Sequence, residues 1–108
     1  MEREKEQLYR MQADVLKALA HPLRLAIADY LRDGEQCVCD IAEHVDAERS
    51  NVSRHLSVML NAGVLDRRKD GLRAMYRLQT PCVLNFFSCV TRVLEERLEV
   101  EQGALESR

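Results

Sequence analysis

The spacing of hydrophobic residues differs before and after Gly63, and few small folds accommodate such a change. Over residues 49–62, apolar side chains recur every three or four positions, as in an amphipathic helix. Over residues 72–78 they occupy every second position, with Arg73 and Arg77 on the other face, as in a half-buried strand, and an Asp-Gly hairpin dipeptide lies just before them. The pattern therefore predicts a helix that ends at Gly63, followed by a two-stranded β-ribbon within residues 64–78.

The rest of the chain is predicted to be helical. The predicted helices cover residues 5–20, 22–33, 38–45 and 81–101. His21-Pro22 separates the first two, because the residue before a proline avoids the helical region and proline itself fits the first turn of a helix. The short helix begins at an N-cap that is either Cys37 or Asp40. Residues 103–108 are expected to form a frayed tail.

Length and composition fit one domain, residues 1–102, of mainly α structure with a small β-ribbon. The chain has 108 residues, of which 46% are hydrophobic and 31% are charged, as is typical of globular proteins. It has no apolar run long enough to span a bilayer and no secretory leader, so we expect a cytoplasmic protein without a membrane partner. It has no glycine-rich phosphate loop and no histidine placed to activate a thiol, so we do not expect an enzyme.

Charge is distributed unevenly along the chain. The formal net charge is −2, yet residues 49–77 carry seven basic residues against Asp66 and Asp70. Because salt screens charges beyond about 8 Å, phosphate affinity depends on such a local patch rather than on the total. A solvated polar face is the alternative explanation, but it does not explain why the basic stretch coincides with the helix and the ribbon.

The order of the elements predicts a helix-turn-helix with a wing. The helix-turn-helix covers residues 38–62, and the basic ribbon over residues 64–78 is the wing. In this fold the second helix presents its polar residues to the major groove of double-stranded DNA, where Arg54 is placed to reach a guanine edge and Asn51 an adenine edge. The candidate DNA contacts are Arg49, Ser50, Asn51, Ser53, Arg54, His55 and Ser57 on the helix, and Arg67, Arg68, Lys69 and Arg73 on the wing.

Three segments resemble the arsenical-resistance repressor (ArsR/SmtB) family. They are HPLRLAI at residues 21–27, CVCDIA at residues 37–42 and SNVSRHLSVMLNAGVL at residues 50–65. The resemblance implies a homodimeric winged helix-turn-helix repressor that binds its operator without a cofactor and leaves it when a metal, metalloid or oxidant is sensed. It also implies that the helices at residues 5–20 and 81–101 are the dimerisation helices, which fits their wide apolar stripes.

Two cysteines flank the predicted start of the short helix. Cys37 and Cys39 lie where a helix N-terminus favours the thiolate form. Two residues apart, they face opposite sides of a regular helix, so one ion bound by both would distort its first turn. The family resemblance matches them to two arsenic-binding cysteines, whereas the third falls at Ala42. Cys82 and Cys89 are the candidates for a third ligand, and packing in the dimer interface is their alternative role.

The inducer is expected to be a soft species that binds thiols. The last predicted helix has no histidine, so the zinc site of Asp and His ligands that the family has there is absent. Sulfur ligands favour arsenite or antimonite, with cadmium or lead as the alternative metals. A disulfide or polysulfide between Cys37 or Cys39 and Cys82 or Cys89 would instead make a redox or sulfide sensor. An interaction module that does not bind DNA is the remaining alternative.

Overall fold

The computed structural model describes residues 2–106, which form five α-helices and a three-stranded antiparallel sheet. The helices are α1 (Arg3–Leu19), α2 (Pro22–Tyr30), α3 (Val38–Val45), α4 (Arg49–Asn61) and α5 (Val83–Glu106). The strands are β1 (Gln36–Cys37), β2 (Leu65–Asp70) and β3 (Arg73–Leu78), and a 3₁₀ turn covers Leu31–Asp33. The predicted fold class is confirmed: α3 and α4 form a helix-turn-helix, and β2 and β3 form its wing.

The core lies where α2, α3 and α4 pack together. Its largest fully buried side chains are Ile27, Ile41, Val52, Leu56 and Met59. The last three belong to the stripe predicted over residues 49–62, whose spacing places one apolar side chain per turn on a single face. Burying that face against α2 and α3 determines which side of α4 remains exposed.

Gly63 ends α4 and directs the chain into the wing. Its φ of +83° lies in the left-handed region, which glycine adopts without strain. The N–H of Gly63 donates to the carbonyl oxygen of Leu60 (3.1 Å), and that of Val64 donates to Met59 (3.0 Å). These two bonds form a Schellman motif, so the helix ends abruptly and β2 begins at Leu65.

The sheet has the strand order β1-β3-β2. Gly71 holds the first position of the tight turn between β2 and β3, with a φ of +64° that favours glycine. β1 pairs with β3 so that Cys37 lies opposite Met75. The sequence predicts only the two strands of the wing, because a two-residue strand shows no alternation and its partner lies beyond α4 in the chain.

The helices α2 and α5 differ most from the predicted ones at their ends. The helix predicted over residues 22–33 ends at Tyr30, and the 3₁₀ turn takes up the remaining residues. α5 begins at Val83, because the N–H of that residue donates to the carbonyl oxygen of Thr80 (3.1 Å) and closes a tight turn before the helix. Its other end lies at Glu106, so the residues predicted as a frayed tail from 103 onward are helical up to that point.

Residues 107 and 108, the end of the predicted tail, lie outside the described residues. Gly103 does not end α5, because a single glycine costs a helix about 1 kcal/mol and the three residues after it are ordinary or strong helix formers.

α1 and α5 leave most of their apolar stripes exposed. The exposed side chains include Leu8, Met11, Val15 and Leu16 in α1, and Phe86, Val90, Val93, Leu94 and Leu98 in α5. A groove of about 940 Å³, lined largely by apolar side chains, lies between these helices and α2. A contiguous apolar surface of this kind marks an interaction site in soluble proteins. No helix within residues 2–106 is long and apolar enough to cross a membrane.

Candidate nucleic-acid interface and thiol site

α4 exposes the polar face on which the sequence places the DNA contacts. Its opposite face is fully buried, so the polar side chains are held along the outer surface of the helix. The side chain of Glu48, the N-cap, makes no capping hydrogen bond, which leaves the first N–H groups of α4 available to an acceptor such as a phosphate. The exposed residues are Arg49, Ser50, Ser53, Arg54 and Ser57, and the half-buried ones are Asn51 and His55.

Two of the predicted DNA contacts are bonded to each other. Nη2 of Arg54 donates to Oδ1 of Asn51 at 2.9 Å. Residues three apart in a helix lie on the same side, so the bond forms within one turn of α4. The two side chains therefore form one polar unit on the exposed face.

His55 is turned toward the body of the protein. Its Nδ1 accepts a hydrogen bond from Nε of Arg24 (3.0 Å), and its ring centroid lies 4.4 Å from that of His21. Arg24 also donates to two carbonyl oxygens in the last turn of α1, at 3.4 Å each. Burial lowers the pKa of His55 below its ordinary value, and the charges of His21, Arg24 and Arg54 lower it further. This cluster joins α1, α2 and α4.

The wing contains two pairs of opposite charges. Arg68 on β2 reaches across β3 to Glu35, which precedes β1; its Nε donates to Oε2 at 2.9 Å and its Nη2 donates to Oε1. Arg77 on β3 donates to Oδ2 of Asp66 on β2, at 2.9 and 3.2 Å. The hydrogen bonds from Arg68 and Arg77 hold the pKa of Glu35 and Asp66, respectively, below their ordinary values.

The other cations of the wing face solvent. Arg67, Lys69 and Arg73 are exposed, and none forms an ion pair with another described residue. Of the four wing residues predicted to contact DNA, three are therefore unpaired and one, Arg68, is engaged by Glu35. Sequence reasoning misses Glu35, because its contact depends on strand order. It also misses the role of Arg24, whose only signal is its place within HPLRLAI.

The two cysteines at the start of α3 lie in different environments. Cys37 is the last residue of β1 and the N-cap of α3, which settles the choice between Cys37 and Asp40. It is only 4% exposed, whereas Cys39, in the first turn of α3, is exposed. Cys37 precedes the helix with an extended backbone, so the two cysteines do not occupy two positions of one regular helix.

The remaining cysteines lie around the start of α5. All four cysteines are free; Cys82 and Cys89 are exposed. Cys82 lies in the turn before α5 rather than on the helix, because the tight turn closed by Thr80 includes it. Ala42, where the family resemblance places a third thiol, is buried in the core. Within the described part of one chain, no three His, Cys, Asp or Glu side chains are grouped so that they could hold a metal ion.

Comparison with known proteins finds relatives that match up to 95% of this chain. Residues 21–67 match the family model of bacterial regulatory proteins of the arsR family. The HTH-type transcriptional regulator Rv0081 of Mycobacterium tuberculosis is 33% identical over 104 residues, which cover 95% of this chain and 91% of that protein. The arsenical resistance operon repressor of Staphylococcus xylosus is 36% identical over 70 residues, which cover 65% of this chain and 67% of that protein.

A solved structure shows the same architecture. It is the homodimeric winged helix-turn-helix DNA-binding domain of Mb0332 from Mycobacterium bovis, described as a possible ArsR-family transcriptional regulator. The two chains superpose with a TM-score of 0.78 at 33% identity, over 92% of each. With a relative that matches nearly its full length and a family model that matches its helix-turn-helix, this chain belongs to the ArsR family of bacterial regulatory proteins.

Proposed function

We propose that this protein is a transcriptional repressor that binds double-stranded operator DNA and releases it when a soft metalloid binds its thiols. The observation that carries the DNA-binding part is the exposed polar face of α4 beside three exposed wing cations, Arg67, Lys69 and Arg73, which form no ion pair with another residue that the structure describes. In this proposal α4 lies in the major groove, and the wing and the first N–H groups of α4 contact phosphates.

The proposed DNA-binding unit is a homodimer. α1 and α5 expose apolar faces that a second copy would cover, and the related domain of M. bovis is homodimeric. A symmetric dimer presents two copies of α4 to successive major grooves, about 34–36 Å apart. The operator would then contain two half-sites related by the symmetry of the dimer.

Cys37 and Cys39 are the proposed ligands of arsenite or antimonite. Because one thiol is buried and the other exposed, an ion bound by both requires the first turn of α3 to open. Cys37 belongs to β1, which pairs with β3 of the wing, and α3 packs against α4. Opening this turn would therefore displace both DNA-contacting elements. Cys82 or Cys89 is the proposed source of a third sulfur.

The test is the anisotropy of a labelled duplex from the region upstream of the protein's own gene, with and without arsenite. We expect arsenite to weaken binding about 5- to 150-fold, the range of a coupling free energy of about 1–3 kcal/mol. The double variant Cys37→Ser/Cys39→Ser should bind the duplex normally and ignore arsenite. Cys82→Ser/Cys89→Ser removes as many thiols and should retain at least part of the response.

Two outcomes would contradict the proposal. Normal release of Cys37→Ser/Cys39→Ser by arsenite would refute the sensing site, and no binding to any duplex at low salt would refute the DNA-binding function. Cys37 is buried, so its replacement changes a core side chain. Cys39 is exposed, so Cys39→Ser alone serves as a variant with an unchanged core. Circular dichroism of each variant checks that it is folded.

Other thiol-directed inducers fit the same site. Cadmium and lead prefer sulfur ligands and would be tested by the same titration. A redox repressor is the second candidate, and the exposure of Cys39, Cys82 and Cys89 favours it. In that case a mild oxidant such as hydrogen peroxide removes two hydrogen atoms per disulfide, and operator release accompanies the mass loss.

A further inference from the structure

The bond between Arg54 and Asn51 limits what each side chain can recognise on DNA. A bidentate contact of asparagine with adenine uses Oδ1 to accept from N6 and Nδ2 to donate to N7. Oδ1 of Asn51 accepts from Nη2 of Arg54 at 2.9 Å, so a guanidinium takes one of the two acceptor positions of that oxygen and competes there with the adenine amino group. Asn51 is also half-buried, whereas Arg54 is exposed. The arginine is therefore the better placed of the two to reach a base.

The same bond leaves Arg54 able to recognise guanine. A guanidinium has five N–H donors, and the contact with Asn51 uses one of them. Whichever N–H of Nη2 is used, one edge of the guanidinium keeps two parallel donors, which match O6 and N7 of guanine. The bond also restricts a long side chain, so less conformational freedom is lost when DNA binds.

We propose that Asn51 is a positioning residue that orients Arg54, and that the two side chains together specify one guanine in each half-site. This differs from the expectation of two separate contacts, guanine by Arg54 and adenine by Asn51. The inference rests on the proposed DNA-binding function, and it specifies how that interface determines its sequence preference.

The experiment is the selection of duplexes from a randomised pool by the full-length protein and its variants, followed by sequencing. Arg54→Ala should lose the preference for one guanine by about 5- to 150-fold, the discrimination of one bidentate pair. Asn51→Ala should lose a smaller part of the preference at that same base pair and at no other. Asn61→Ala, the same change at an exposed asparagine in the last turn of α4 and outside the candidate contacts, should leave that position unchanged.

Asn51→Asp separates positioning from direct base contact. An aspartate still accepts from Arg54 but has no N–H to donate to adenine N7. We expect weaker overall binding, because the added charge repels phosphate, with the guanine preference retained. Loss of an adenine preference elsewhere in the site, with the guanine preference intact in Asn51→Ala, would overturn the inference. If the wild-type protein enriches no duplex, the proposed DNA-binding function fails together with this inference.

Discussion

The residues around His55 favour its neutral form. Its Nδ1 accepts the N–H of Arg24, which requires an unprotonated nitrogen at that position. Protonation would place two donors against each other at the junction of α1, α2 and α4. His21, beside it, uses its own Nδ1 to accept the N–H of Leu23 at the start of α2 (3.1 Å). A residue predicted as a DNA contact thus has a structural role in joining three helices.

We expect the folded protein to lose stability as the pH falls from about 6.5, and His55→Gln to lose less. The unfolded chain takes up a proton near the ordinary histidine pKa of about 6.5, whereas the pKa of His55 in the folded protein is lower. The stabilisation by the neutral ring is therefore complete above about pH 6.5 and is lost as the pH falls through the lowered pKa. Glutamine can still accept from Arg24 but does not titrate.

Urea unfolding of both proteins at about pH 7.5 and pH 5.5 measures this difference in the free energy of unfolding. The protein concentration is kept fixed, because dimerisation would contribute to the measured stability. If wild type and variant lose the same stability between the two pH values, His55 is not the responsible group.

For single residues, the sequence predicts the features that depend on spacing along a helix and misses those that depend on contacts between residues far apart in the chain. The burial of Val52, Leu56 and Met59 follows from their spacing in a helix. The burial of Cys37 follows from the pairing of β1 with β3, which no local pattern indicates. The contact of Arg68 with Glu35 is missed for the same reason.

Among the elements, the wing shows that a count of basic residues overstates the charge available to DNA. Arg68 extends over β3 and binds Glu35, which lies at the opposite edge of the sheet, before β1. The charge of Arg68 is therefore opposed within the protein. Arg73 lies next to the tip of the wing and Arg67 in the middle of β2, and neither has such a partner among the described residues. The structure therefore distinguishes wing cations that the sequence treats as equivalent.

We expect Arg67→Ala and Arg73→Ala each to weaken duplex binding at every sequence. Each should reduce the slope of log affinity against log salt by about 0.9 per protomer, the value for one phosphate contact. Arg68→Ala removes the same charge from the same ribbon and should change the slope less, because Glu35 already opposes that charge. Anisotropy titrations over a series of salt concentrations measure the slopes. An equal loss in Arg68→Ala would show that the pair with Glu35 opens when DNA binds.

The elements that the sequence predicts well are those whose hydrophobic period is determined by their own packing. α4 has one face buried in the core, so its apolar spacing predicts both the helix and its exposed side. The start of α5 is predicted less well, because the turn closed by Thr80 depends on one backbone hydrogen bond rather than on a pattern. Its end is also missed, since one glycine is a weak helix stop.

The described part of the chain, residues 2–106, is more extended than a compact monomer of its size. Its radius of gyration is 17.3 Å, against about 13 Å expected for a globular chain of this length. α1 and α5 account for the excess apolar surface, with five exposed apolar side chains of α5 alone lying along one stripe. The sequence indicates these apolar stripes. The structure shows that the rest of the described chain leaves them largely uncovered. A second copy would cover them in the proposed dimer.

We expect Leu94→Glu to dissociate the dimer. Leu94 lines the groove between α5 and α1 and is 50% exposed in the single chain, so a symmetric interface would bury the new charge twice without a partner. The dimer dissociation constant, measured by sedimentation equilibrium, should rise at least about tenfold, which corresponds to 1.4 kcal/mol. Leu72→Glu, the same change at a fully exposed leucine on the wing, is the matched control and should leave the dimer intact. Affinity for a duplex with two half-sites should fall in Leu94→Glu, because a monomer contacts one half-site only. An unchanged dissociation constant would place the dimer interface away from α1 and α5.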